Sequence, residues 1–223
     1  MSAFTMDLIA QLAALLGSLA GFIYGLLKMC TGKRPMYMNI IVMGVGCAVI
    51  SRIFNISCLL NEGALRTRFN VGSLGSIGVF LALLSANFGQ FDGIVDDGQK
   101  EHMKYRLYPL IGSLVPFAAI PLVYLSPLPP SGTVCHVISL LLIGMGVYYH
   151  IKHLIFPDVE FGIANSIRPY NFLAILYALF MIGDILAFAY ERHVFLMING
   201  FISGFIILLL VIELKKGVDR WII

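Results

Sequence analysis

The chain has 223 residues, of which 59% are hydrophobic and 12% are charged, and its net charge is +3. Soluble domains carry about a quarter charged residues, so this composition excludes a water-soluble globule, a nucleic-acid binder and a disordered chain. One helix needs about 20 residues to cross a bilayer, and a short turn needs a few more. The length therefore predicts about seven crossings within a single domain, 1–223, without room for a second, soluble domain.

Seven apolar runs follow one another along the chain, separated by short segments rich in turn-forming residues. No run alternates apolar and polar residues with a period of two, which excludes a membrane-spanning β-barrel. Helices satisfy their backbone hydrogen bonds within lipid, so the predicted fold is an all-α, polytopic transmembrane bundle of seven helices. The predicted helices span roughly 6–29, 36–60, 70–91, 105–126, 132–156, 169–190 and 193–214.

Small residues recur at four-residue spacing on the first, third and seventh predicted helices. On the first helix they are Gly17, Gly21 and Gly25. Such stripes let two backbones approach closely in lipid, so we expect them to form seams within the bundle. A dimer interface on the first helix is the alternative. The fourth helix contains three prolines and is expected to be kinked or partly unwound.

Basic side chains concentrate on one side of the predicted bundle. With the N-terminus outside, eleven basic residues fall on the inner side and three on the outer side, while Arg52 lies within a span. Cytoplasmic segments are enriched in Lys and Arg, so we expect an outside N-terminus and a cytoplasmic C-terminus in a multi-pass protein of the cell membrane. The inner residues are Lys28, Lys33, Arg34, Lys100, Lys104, Arg106, Lys152, Arg168, Lys215, Lys216 and Arg220, and the outer ones are Arg66, Arg68 and Arg192.

A candidate ligand-binding cluster lies at similar predicted depth in the outer half of the membrane. An isolated charge within a span costs about 2.5–3.5 kcal/mol, so Arg52 and Asp184 are expected to form an ion pair. That pair is either a structural clamp between the second and sixth helices, or part of an outward-facing pocket whose guanidinium binds a carboxylate or phosphate. The cluster comprises Arg52, Asn55, Asn70, His136, Asp184 and Asn199.

A second set of polar residues is predicted at the inner face. Asp92 and Asp96 are four residues apart, and His150 and His153 are three apart, so each pair shares one helical face. Carboxylates and imidazoles that converge can hold a divalent metal ion, but the chain contains no complete metal motif. The favoured interpretation is that these carboxylates balance neighbouring lysines and face water. Neither a metal nor a cofactor is expected.

Three functions are compatible with these predictions. The first is a sensor-like or receptor-like module with an outer pocket for a small, anionic or lipid ligand, and with output through a separate cytoplasmic or membrane partner protein. The second is a small-molecule transporter or a subunit of one. The third is an intramembrane lipid-modifying enzyme that uses clustered carboxylates as acid and base. A retinal pigment is disfavoured because the seventh helix has no lysine before Lys215.

Overall fold

The computed structural model of the protein describes residues 1–29, 35–96, 98–157 and 162–222. Seven of its helices are long and apolar enough to cross a membrane, and no β-strand occurs in these ranges. The predicted all-α bundle with seven spans is therefore confirmed, and the chain has the build of a multi-pass membrane protein. Two basic residues of the charge count, Lys33 and Arg34, lie outside the described residues.

We number the membrane-spanning helices α1 to α7 in chain order. Their bounds are α1 Ala3–Met29, α2 Met36–Glu62, α3 Val71–Val95, α4 Met103–Tyr124, α5 Pro130–Ile155, α6 Ile163–Ala189 and α7 His193–Ile222. α3 contains a π-helical turn at Asn87–Phe91, and a short 3-10 turn at Lys100–His102 leads into α4.

Local sequence signals account for several helix ends. α2 ends at Gly63, which adopts a left-handed conformation (φ 75°) and donates its N–H to the carbonyl of Leu59 at 3.0 Å. α3 begins after Asn70, whose side chain accepts the N–H of Ser73 at 3.1 Å. A short turn with Glu191 at a φ of 54° joins α6 to α7, so these two helices are antiparallel neighbours.

Two helices are longer than their apolar runs predict. α6 begins at Ile163, six residues before the predicted start, so Pro169 lies inside the helix and not at its first residue. α7 continues from the end of its apolar run through Lys215 and Lys216 to Ile222, because charged residues with high helix propensity prolong a helix that has already formed. At about 1.5 Å per residue, its 30 residues extend beyond a hydrocarbon core of about 30 Å.

The prolines of α4 do not interrupt the helix. Pro109, Pro116 and Pro121 all lie inside a continuous α-helix, so the expected partial unwinding is absent. Neighbouring helices and local adjustments satisfy the backbone groups that proline frees in membrane helices. α4 packs against α5 and α6, and its other face exposes large apolar side chains such as Ile111 and Leu114.

The remaining helices form a closed ring in the order α1, α2, α3, α5, α6, α7, and α7 returns to α1. Large apolar side chains are exposed on the outside of this ring, for example Leu16, Met43 and Phe205. Several polar side chains are instead buried inside it, including Arg52, Asn87 and Lys152. An apolar exterior around a partly polar interior is what a surrounding bilayer favours.

The small-residue stripes pack within the chain. A Cβ atom on Gly17 would collide with the backbone of Gly204, and one on Gly204 would lie 2.7 Å from the carbonyl oxygen of Ala13. The first and last helices therefore touch backbone to backbone, which closes the ring. This contact occupies the α1 stripe that the dimer alternative requires, so the intramolecular seam is the observed use of these glycines.

Candidate functional site

A cavity of about 80 Å³ lies at the end of the bundle where α2 and α6 finish. This volume is several times the about 10–15 Å³ that one water molecule needs. Residues of the loop between α2 and α3, including the exposed Arg66 and Thr67, form part of its wall. Five of the six predicted site residues line the same cavity: Arg52, Asn55, Asn70, His136 and Asp184.

Arg52 on α2 is the central side chain of this cavity and is 8% exposed. Its Nη1 donates to Oε1 of Gln11 at 3.0 Å, and its Nη2 lies 3.9 Å from the sulfur of Met181. The predicted ion pair is present, but Nη2 is 3.6 Å from Oδ2 of Asp184. Charge-assisted hydrogen bonds between these groups are about 2.7–2.9 Å long. The guanidinium is thus neutralised by Asp184 without being closely held by it.

Gln11 on α1 is a member of the cluster that the sequence prediction missed. Its Oε1 accepts hydrogen bonds from both Arg52 and, at 3.2 Å, Nδ2 of Asn55. Gln11 is 4% exposed. It lies four residues after Asp7, which is also buried and pairs with His193 on α7 at 2.8 Å. Gln11 lies on the buried face of α1 with Asp7, Ser18 and Gly21, and polar residues at this spacing are the signal that identifies the face.

Two of the predicted residues on the cavity wall have structural partners. Asn70 caps α3 and also donates its Nδ2 to the carbonyl of Arg68 at 2.6 Å. The ring of His136 lies 5.4 Å from the ring of Phe188, in a tilted arrangement. Asn70 therefore sets the position of the wall, while His136 contributes an imidazole whose neighbour is aromatic.

Asn199 does not line the cavity of Arg52, which corrects the prediction that all six residues form one cluster. It lines a different groove on the outside of α6 and α7, together with Gly183 and Arg192. The depth assigned to Asn199 along α7 does not determine which way it faces around the helix axis. Gly183 and Asp184 illustrate the same point, because these consecutive residues of α6 line the groove and the cavity respectively.

A second polar cluster lies at the opposite end of the bundle, and we call it the Lys152 cluster. The ammonium group of Lys152 lies 2.6 Å from Oδ1 of Asp92 and 2.6 Å from Oδ2 of Asp96. Lys152 is 4% exposed. Asp92 follows directly after the π-helical turn of α3, and its side chain is 24% exposed. The cluster comprises Asn87, Asp92, Asp96, Arg106, Lys152, His153 and Tyr170.

Asp96 lies just beyond α3 and accepts several hydrogen bonds. Nε of Arg106 donates to its Oδ2 at 2.8 Å, and the N–H of Gly98 donates to its Oδ1 at 3.0 Å. Hydrogen bonds from Arg106, then from Lys152 and Gly98, hold the pKa of Asp96 well below its usual range. The carboxylate therefore stays ionised and retains its cationic partners.

His153 is fully buried, and each of its ring nitrogens faces an oxygen atom. Nδ1 lies 3.1 Å from Oδ1 of Asn87, and Nε2 lies 3.2 Å from Oδ1 of Asp92. The amide of Asn87 is oriented by its Nδ2, which donates to the carbonyl of Leu83 at 2.8 Å. A neutral imidazole donates from one nitrogen only. A neutral His153 can therefore donate a hydrogen bond in only one of its two contacts, and the other contact needs a further proton. The geometry of this cluster thus depends on its protonation.

The four metal-ligand candidates do not assemble a metal site. No group of three His, Cys, Asp or Glu side chains with that capability occurs in the described part of the chain. The ammonium of Lys152 lies between Asp92 and Asp96, and His150 pairs with Asn171 at 2.9 Å. The expected pairing of these carboxylates with a lysine is present. Asp96 is only 10% exposed, however, so the expectation that its carboxylate faces water is wrong.

An apolar layer separates the two clusters. A gap of only about 10 Å³ lies in the middle of the bundle, where α2, α3, α6 and α7 meet. Except for Tyr177 and Gly44, its lining consists of aliphatic side chains such as Val79 and Leu210. The described side chains that line this gap between the two clusters are therefore almost all apolar.

Comparison with protein-family models, with curated proteins and with solved structures found no match for this chain.

Proposed function

We propose that this chain is a membrane binding module whose cavity at Arg52 takes a small anionic group, a carboxylate or a phosphate. The observation that carries the proposal is the loose pairing of Arg52 inside a cavity. Its guanidinium lies 3.6 Å from the carboxylate of Asp184, whereas a bidentate arginine–carboxylate pair would use two parallel short hydrogen bonds. The guanidinium of Arg52 thus retains N–H groups that can donate hydrogen bonds to a ligand in the cavity, and this cation is already removed from bulk water.

The surroundings of Arg52 favour an anion over a cation. Arg66 lines the same cavity from the loop side, where its Nε donates to both carboxylate oxygens of Glu62 at 3.0 and 2.9 Å. Asn55, which donates one of its two amide hydrogens to Gln11, and Ser73 add neutral hydrogen-bonding groups. An anion entering past the exposed rim therefore meets one paired arginine first and Arg52 at the inner wall.

The cavity volume limits the size of the group that enters. About 80 Å³ accommodates a single carboxylate or phosphate group with a few waters, and is well below the roughly 300–1,000 Å³ of pockets that enclose drug-sized ligands. The ligand is therefore either a small free anion or the charged end of a larger molecule whose remainder stays outside the cavity.

We also propose that this cavity faces outward, with the N-terminus outside and the C-terminus cytoplasmic in the cell membrane. The excess of basic residues at the opposite end supports this orientation. A separate cytoplasmic partner would then receive the signal. Labelling of a unique cysteine placed at the C-terminus tests the orientation: an impermeant thiol reagent should reach it only after the membrane is opened.

The transporter and enzyme alternatives have less support. A transport path needs polar groups along its length, and the gap between the two clusters is lined almost entirely by apolar side chains. An acid–base pair needs carboxylates that are available to a substrate. Asp92 and Asp96 are instead engaged by Lys152, and Asp96 also by Arg106.

The test is thermal unfolding of the purified protein in detergent, with inorganic phosphate and with acetate as probes. A ligand that binds only the folded state stabilises it by about 2.7 kcal/mol at a hundredfold excess over its Kd. We expect a concentration-dependent rise in the midpoint for the wild type and its loss in Arg52→Gln. The Gln side chain keeps a hydrogen-bonding group towards Gln11 and removes the charge.

Arg68→Gln is the matched control, since Arg68 is an exposed arginine in the same loop but does not line the cavity. This variant should respond to the anions as the wild type does. An equal response of the wild type and Arg52→Gln to both anions would refute the proposal, and so would the absence of any response in the wild type.

A further inference from the structure

The outer surface of α6 and α7 contains a groove of about 500 Å³, which we call the α6–α7 groove. Its walls are largely apolar and include Leu179, Phe180, Leu186 and Phe195. Leu179 is 45% exposed and Phe195 is 62% exposed. Because both helices are long and apolar enough to span a membrane, this surface lies against lipid in the bilayer.

One polar side chain is buried in this apolar groove. Asn199 lines the groove and is only 9% exposed. Its Nδ2 would be 3.1 Å from a Cβ atom on Gly183, so the glycine leaves room for the amide at the wall. No side chain or carbonyl among the described residues forms a hydrogen bond with the Asn199 amide. Its polar atoms are not among the enclosed ones of the described residues that lack a partner, so they are accessible from the groove. An amide that faces lipid without a partner costs about 1–3 kcal/mol, which a bound hydrogen-bond acceptor would remove.

A cation lies at the end of the same groove. Arg192 is exposed in the turn between α6 and α7 and also lines the groove. It precedes Asn199 by seven residues, which places the amide about 10 Å deeper along the axis of α7. The headgroup region occupies about 5–7 Å on each side of a bilayer. Arg192 at headgroup level therefore places Asn199 near the boundary with the hydrocarbon.

We infer that the α6–α7 groove binds one glycerophospholipid. Arg192 binds the phosphate, Asn199 donates its Nδ2 to an ester carbonyl, and the acyl chains lie along Leu179 and Phe180, which lie deeper on α6 than Gly183 beside Asn199. A phospholipid carries phosphate, ester carbonyls and acyl chains in this order along the membrane normal, and the groove presents a cation, an amide and an apolar wall in the same order. This site is separate from the cavity of Arg52, and either can fail without the other.

The test uses the full chain in detergent and counts lipid adducts by native mass spectrometry. The probes are phosphatidylglycerol, its ether-linked analogue, which lacks the ester carbonyls, and diacylglycerol, which lacks the phosphate. We expect phosphatidylglycerol to bind about fivefold more tightly than the ether lipid, as for the loss of one hydrogen bond. Binding should also exceed that of diacylglycerol by about fivefold, as for one basic residue near the membrane surface.

Two variants assign these preferences to their residues. Asn199→Leu should abolish the preference for the ester over the ether lipid and keep the preference for phosphate. Arg192→Gln should abolish the preference for phosphate and keep the preference for the ester lipid. Arg68→Gln alters an exposed arginine away from the groove and should change neither preference.

Equal binding of ester and ether lipids by the wild type would overturn the inference, and this comparison needs no folded variant. A wild-type dimer that retains no lipid and dissociates in Asn199→Leu would also overturn it, since the groove would then be a protein interface.

Discussion

The two polar clusters of this bundle each hold a buried basic side chain, but they neutralise it differently. Lys152 has two carboxylates at 2.6 Å. Arg52 has one carboxylate at 3.6 Å and an amide oxygen at 3.0 Å. A cavity adjoins Arg52, whereas the partners of Lys152 are themselves tied to Arg106 and His153. We call the Lys152 cluster saturated, because two carboxylates lie close to its cation, and it is suited to joining α3, α4 and α5. We call the cluster at Arg52 unsaturated, because its cation lacks such close partners, and it is suited to accepting a ligand.

This difference matters because a buried ion pair alone is weak support for a functional site. Its desolvation penalty can exceed the gain from attraction, so residual donor capacity and space are the informative features. Arg52 combines both with low exposure. Lys152 is buried more completely, yet its ammonium is enclosed by its own carboxylates.

Removing the cation of the saturated cluster should have the greatest effect on stability. In Lys152→Met, Asp92 loses its lysine, and Asp96 keeps the hydrogen bonds from Arg106 and from the N–H of Gly98. Breaking a buried pair costs about 3–5 kcal/mol, and we expect the lower part of this range because Asp92 is 24% exposed. The free energy of unfolding in mixed detergent micelles measures the loss.

Lys216→Met is the control for that variant. Lys216 also lies 2.6 Å from a carboxylate, that of Glu213, but it is 55% exposed. Its removal should cost less than about 1 kcal/mol. A similar loss in both variants would show that burial does not distinguish the Lys152 cluster from a surface pair.

Removing the carboxylate of the unsaturated cluster should have an intermediate effect that an anion reverses. Asp184→Asn leaves Arg52 without its counterion, at a cost of about 1–3 kcal/mol for an unsatisfied buried group. Inorganic phosphate should stabilise this variant more than the wild type, because it takes the place of the carboxylate. Thermal unfolding with and without phosphate measures both effects.

The corresponding change at the other end is Asp96→Asn, which removes a carboxylate from the buried Lys152 and the partly buried Arg106. This variant should lose stability without regaining it from phosphate. If phosphate restores neither variant, or both equally, Arg52–Asp184 is a structural clamp between α2 and α6 and not part of a binding site.

The smallest expected effect concerns a glycine beside each cluster. A Cβ atom on Gly72 would collide with the amide oxygen of Asn55, whereas nothing lies within 4 Å of one on Gly93. Gly72→Ala should cost about 1 kcal/mol through overpacking and weaken the response to phosphate by displacing Asn55. Gly93→Ala should be neutral or slightly stabilising in its helix. An unchanged phosphate response in Gly72→Ala would remove Asn55 from the site.

The predicted fold and the predicted site differ in how well they match the structure. Hydrophobic runs predict all seven helices, because a span must be apolar over about 20 residues. The same runs misplace the start of α6 and the end of α7, since a helix does not stop where the bilayer does. Depth along the helices also predicts that Arg52 and Asp184 pair.

The direction in which each side chain points around its helix axis was not predictable in the same way. Asn199 has a depth similar to that of Asp184 but faces the outer groove. Gln11, which lies on the buried face of α1, accepts a hydrogen bond from Arg52. Asp96, which was expected to face water, pairs with Lys152 and is only 10% exposed.

The order of apolar and charged residues alone determines the number of crossings, the depth of each polar side chain and the expected orientation in the membrane. These properties follow from the free energy of transferring each residue between water and lipid, which can be added up along the sequence. The neighbours of each helix, and the face that it presents to them, depend on close packing such as that of Gly17 against Gly204. Lipid is as apolar as leucine and does not drive helices together, so hydrophobicity alone carries no information about these contacts. Only the packed bundle therefore distinguishes the saturated Lys152 cluster from the cavity of Arg52.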